Sequence, residues 1–73
     1  MGRANVVAEV TGTVWKIQAE PGAAVQPDDV VMLVESMKME IPVVANDAGR
    51  IAEILVREGE MVQEGQTVAV VAT

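Results

Sequence analysis

Residues Val7 to Ser36 pair without a gap with the residues 37 places later, Val44 to Thr73, and nine of the thirty pairs are identical. The identities are Val7/Val44, Ala8/Ala45, Gly12/Gly49, Ile17/Ile54, Gly22/Gly59, Val25/Val62, Gln26/Gln63, Val31/Val68 and Val34/Val71. Two of these are glycine pairs at expected turns and most of the others are apolar, so the match is one of structure rather than of composition alone. Such self-similarity predicts a quasi-twofold domain over residues 1–73, with halves 7–36 and 44–73. Between the copies lie Met37 to Val43, which places Met37-Lys38-Met39 on the turn that joins them.

Each copy reads as β structure. Fifteen valines and four isoleucines favour the pleated backbone, and six glycines and three prolines interrupt the runs every few residues. Strands are expected near Asn5–Val10, Gly12–Ala19, Val30–Glu35, Met39–Val44, Gly49–Val56 and Thr67–Ala72, with short extended pieces at Val25 and Val62. The turns at Glu20-Pro21-Gly22 and Arg57-Glu58-Gly59 are equivalent, and glycine suits a left-handed backbone angle there. Apolar positions 14, 17 and 19, matched by 51, 54 and 56, break strict alternation, which predicts a bulge or bend in each of these strands. Two short antiparallel sheets packed face to face, each mixing strands from both halves, bury such strands most simply.

Composition excludes several kinds of chemistry. A net charge of −6 with five scattered basic residues offers no basic face, so no nucleic-acid partner is expected. Without cysteine or histidine there is no disulfide, no thiolate zinc site and no imidazole base. The irregular spacing of Glu58, Glu60 and Glu64 reads as a solvated face rather than a metal site. Aliphatic runs such as Val30–Val34 are too short to span a bilayer, and the first residues do not open a secretory apolar region, so no membrane partner and a cytoplasmic location are expected. A chain of 73 residues buries only about 60% of its unfolded surface, which means a modest core and, with this charge, a soluble monomer.

The segment Glu35-Ser36-Met37-Lys38-Met39-Glu40 resembles the attachment motif of the biotinyl domains of biotin-dependent carboxylases. The likeness runs from about Val6 to Val71 and takes in Gly12, Pro21-Gly22, Gly49, Glu58-Gly59 and Gly65. It is nearest to the short stand-alone biotin/lipoyl attachment proteins, in which this hexapeptide and a pair like Trp15-Lys16 also occur. The resemblance implies an all-β flattened barrel-sandwich of two four-stranded antiparallel sheets, with the modified lysine on a hairpin turn. It implies covalent biotin on Lys38, added by a biotin protein ligase that recognises Met37, Met39, Glu35, Ser36 and Glu40. The partners implied are a biotin carboxylase and a carboxyltransferase, between which the tethered group moves. Ser36 replaces the alanine common before Met-Lys-Met, a small-for-small change. The Ala19–Val25 connection is too short for the protruding thumb of some relatives, and without an Ala-Pro-rich linker the chain reads as a free-standing carrier or an excised domain.

No catalytic residue is expected. A lysine amine is mostly protonated at neutral pH, and Glu35 and Glu40, its ionisable neighbours in sequence, do nothing to activate Lys38. Its role is to present an amine to the ligase. Met37 and Met39 suit an adaptable recognition surface, the alternative being that they pack over the end of the core. Lys16 lacks flanking methionines and has Glu53 as its counterpart, so it is expected to stay unmodified. Trp15, opposite Ala52 in the alignment of the halves, is expected to cover an end of the core, with a partner-binding hot spot as the alternative. Two other functions fit the residues less well. Lipoate is the alternative cofactor, although lipoyl motifs usually read Asp-Lys-Ala, and an unmodified interaction module is the remaining reading.

Overall fold

The computed structural model describes residues 2–73. Its eight strands are β1 (Arg3–Val7), β2 (Gly12–Ile17), β3 (Ala24–Val25), β4 (Val30–Ser36), β5 (Met39–Val44), β6 (Gly49–Ile54), β7 (Met61–Val62) and β8 (Thr67–Ala72). They form two four-stranded antiparallel sheets, ordered β1-β8-β6-β3 and β5-β4-β2-β7, which face each other without closing into a barrel. A shift of 37 residues carries β1, β8, β6 and β3 onto β5, β4, β2 and β7, so each sheet is the image of the other and each contains strands from both halves. The expected quasi-twofold sandwich is the one observed.

Turn chemistry repeats with the strands. Gly22 and Gly59 both have φ of 91° and each donates its N–H across to the other half, Gly22 to the Ile51 carbonyl and Gly59 to the Val14 carbonyl, both at 2.7 Å. These crossed bonds tie the halves together where short β3 and β7 provide little pairing. Bulges also come in pairs. Register shifts fall at Trp15 and at its counterpart Ala52, as the apolar spacing predicted, and again at Val31 and Val68. Val14 before the first bulge and Ala19 beyond it are both buried, as are Ile51 and Val56 about its counterpart, so the bulge returns the apolar side chains to the inner face.

Several expected strand ends move inward by two or three residues. Gln18 and Ala19 both donate to the Val31 carbonyl and Leu55 donates to the Val68 carbonyl, so pairing there passes to the second bulge and β2 and β6 stop at Ile17 and Ile54. Ala8 donates to the Gln66 carbonyl and accepts from Gly65, which ends β1 at Val7 rather than Val10. Gly12 and Gly49 are the first residues of β2 and β6, where the expected strands also begin. What requires glycine at both is close approach, because a Cβ would stand 2.3 Å from the Glu35 carbonyl oxygen at Gly12 and 2.2 Å from that of Ala72 at Gly49.

Between the sheets the buried side chains are entirely apolar, with Met32, Ile51, Val14, Val34 and Val71 among the largest fully buried. Trp15 is not among them. At the bulge it faces outward and is 49% exposed, as its counterpart Ala52 is also exposed, so it does not cover the end of the core. The reason is positional, since a bulge leaves one residue without a cross-strand partner and here turns it toward solvent.

Candidate functional site

Strands β4 and β5 pair from Val30↔Val44 through Glu35↔Glu40 to Ser36↔Met39, leaving only Met37 and Lys38 as the connection. Both have left-handed backbone angles, φ 52° and 66°, which is the signature of a two-residue hairpin of type I′. That turn twists in the same sense as the flanking strands but prefers Asn-Gly, because a side chain in the left-handed region costs roughly 1–2 kcal/mol per residue. Here methionine and lysine take both positions. Met37→Asn is therefore expected to raise stability by about 1 kcal/mol, read as a higher urea midpoint; no gain would mean that the turn carries no strain.

A second local conflict lies beside the first. Glu35 and Glu40 are directly opposite each other across β4 and β5 and both are exposed, although like charges in a cross-strand pair are unfavourable. Strained turns and repelling pairs concentrate where presentation matters more than stability. At the tip Lys38 is exposed, Met37 is 92% exposed and Met39 is 62% exposed, so the methionines flank the amine in solvent and do not pack over the core. Met61, on edge strand β7 of the same sheet, is also largely exposed.

Ser36 behaves differently from its neighbours in the motif. It is half-buried, and its hydroxyl donates to the Thr11 carbonyl at 3.0 Å, which turns it toward the protein rather than outward. Thr11 in turn accepts the Glu64 N–H on its side-chain oxygen at 3.0 Å. Nothing in the sequence separates Thr11 from other surface threonines. Lys16 lies in regular strand just past the bulge, opposite Leu33, with none of the turn geometry of Lys38.

At the other end of the molecule, Gly2 and Thr73 exchange backbone hydrogen bonds at 3.3 and 2.9 Å, the counterpart of the Ser36–Met39 pair. Strand β1 leads from that pair toward Thr11, so Lys38 projects from the end opposite the described termini along a molecule 37 Å long. Among the described residues, no group of three or more acidic side chains is placed to hold a metal ion and no pocket indents the surface.

Paired sheets related by a twofold, with an exposed lysine on the hairpin between the halves, define a covalent attachment domain. The family described as biotin-requiring enzymes, whose domain takes biotin or lipoate on a lysine, matches residues 3–71, and the chain belongs to this biotin/lipoyl attachment family. It is 38% identical over 68 residues to a biotinylated protein TB7.3 homolog of Mycobacterium leprae, covering 93% of this chain and 96% of that one. It is also 38% identical over 61 residues to the biotin/lipoyl attachment protein of Bacillus subtilis, covering 84% of each. Among solved structures, the urea carboxylase of Kluyveromyces lactis superposes with a TM-score of 0.93 at 36% identity over 99% of this chain, which spans 6% of that enzyme. The lipoyl domain of the 2-oxoglutarate dehydrogenase complex of Azotobacter vinelandii superposes at 0.70 with 33% identity, covering 88% of this chain and 81% of that one. Domains of this kind are carriers without catalysis of their own.

Proposed function

We propose that this chain is a biotin carboxyl carrier whose acceptor is Lys38. The observation that carries the reading is the Met37-Lys38-Met39 turn, which holds the lysine at a solvent-facing tip between two exposed methionines. In the attachment step a biotin protein ligase supplies biotinyl adenylate. The Lys38 Nζ, having lost its proton to solvent or to the ligase, attacks the acyl carbon, an amide forms and AMP leaves. Exposed, polarizable Met37 and Met39 offer the ligase an adaptable contact on either side of the amine, and Glu35 and Glu40 add negative charge at the base of the hairpin. The tethered biotin then moves a carboxyl group between a biotin carboxylase and a carboxyltransferase, with tethering raising its effective concentration at each. Support for biotin over lipoate comes from methionine on both sides of the lysine and from the closer superposition on a urea carboxylase than on a lipoyl domain. The same reading takes the chain as one monomeric domain acting in the cytoplasm, in keeping with its charge of −6 and lack of cysteine.

The test is intact mass after incubation with biotin, ATP and a biotin protein ligase, beside a Lys38→Arg variant and a parallel reaction with lipoate and its ligase. A single biotin adduct is expected on the wild type and none on the variant, with Lys16 unmodified in both. A lipoyl adduct alone would make the chain a lipoyl carrier, and no adduct with either ligase would reduce it to an interaction module.

A further inference from the structure

We infer that Ser36 and Thr11 are positioning residues that anchor the strained turn presenting Lys38. The hairpin tip is bound to the rest of the molecule by a relay of side chain and backbone, Ser36 Oγ to the Thr11 carbonyl and Glu64 N–H to Thr11 Oγ1, each at 3.0 Å. Thr11 lies between β1 and β2 and Glu64 between β7 and β8, so the relay ties the turn to connections from both halves.

The twofold provides an internal control. Counterparts of Ser36, Thr11 and Glu64 are Thr73, Ala48 and Pro27. Alanine has no hydroxyl and proline has no N–H, so the Thr11–Glu64 link has no equivalent at the other end, and among the described residues the Thr73 hydroxyl makes no bond to the Ala48 carbonyl to match the Ser36–Thr11 link. The relay occurs at the one end where two successive non-glycine residues have positive φ, and such backbone persists only where its surroundings over-determine it. Ser36, placed by sequence among the residues a ligase reads, thus faces Thr11 and acts through the turn. Its consequence for attachment rests on Lys38 being the acceptor, whereas the anchoring is read without any ligase.

Amide hydrogen exchange followed by NMR tests the anchor directly in wild type, Ser36→Ala, Thr11→Val and Thr11→Ser. Exchange of the Ser36–Met39 amides is expected to accelerate about fivefold in Ser36→Ala, the equivalent of one net hydrogen bond. Thr11→Val should shift them in the same direction, Thr11→Ser should restore the wild-type rates, and amides of β6 and β8 should hold their protection. With a biotin protein ligase, Ser36→Ala should raise KM by about two- to fivefold at unchanged kcat, the share of one hydrogen bond that reaches binding. Unchanged exchange at the hairpin, or equal acceleration in every strand, would overturn the anchor. Altered exchange with unchanged KM would overturn its role in presentation. Altered exchange with no adduct on Lys38 of the wild type would leave the anchor standing and remove the carrier reading instead.

Discussion

Gly12→Ala and Gly49→Ala are each expected to lower the unfolding free energy by about 3 kcal/mol, and the double variant to leave the chain largely unfolded. The added methyl would stand 2.3 Å from the Glu35 carbonyl oxygen at Gly12 and 2.2 Å from that of Ala72 at Gly49, with Val34 and Val71 side-chain carbons each at 2.9 Å. These neighbours are the backbone and buried side chains of central strands β4 and β8, so relief means prising apart the strands next to them. A domain of 73 residues holds in total roughly 4–11 kcal/mol, at about 0.05–0.15 per residue. Because the two sites are in different sheets, the losses should add. Gly22→Ala is the contrast, since its Cβ would meet nothing within 4 Å and only the positive φ is offended, at about 1 kcal/mol. Urea unfolding of the four variants decides the matter, and a loss below about 1 kcal/mol at Gly12 or Gly49 would show that the strands yield more easily than the geometry indicates.

Met32→Ala should cost about 2–5 kcal/mol. Met32 is fully buried and is the largest such side chain, whereas its counterpart in the other half is the equally buried Ala69. The core thus departs from its own twofold at this point, with a methionine on β4 where β8 has an alanine. Truncation would open a cavity among Val and Ile side chains too stiff at χ1 to move into it. Met37→Ala, at a side chain 92% exposed, should stay within about 0.5 kcal/mol of wild type. If both methionine variants unfolded at the same urea concentration, Met32 would not be the core element described here.

Much of this architecture is legible along the chain. The 14/17/19 and 51/54/56 spacing marked β2 and β6 as bulged or bent, and bulges fall there at Trp15 and Ala52, because that spacing records which side chains must return to the inner face. The repeat also located the Gly22 and Gly59 turns, where the backbone angle is a local demand that glycine answers. It missed the equivalent pair Asp28 and Gly65, φ 74° and 87°, because aspartate answers the same demand and the residues are not identical. Within the site, Lys38 and its methionines stood out by position and type. The left-handed geometry of Met37 and Lys38 did not, since neither residue favours it and the twist of the paired strands imposes it.

By itself the sequence determined a twofold β domain, its apolar faces and the hairpin that bears Lys38, since each of these is written in residue type at short or periodic spacing. Tertiary structure decided why Gly12 and Gly49 are glycine, that Trp15 faces solvent, and that Ser36 reaches Thr11. Those facts depend on atoms brought together from distant positions in the chain. A carbonyl oxygen 2.3 Å from an absent methyl leaves no trace in composition or periodicity.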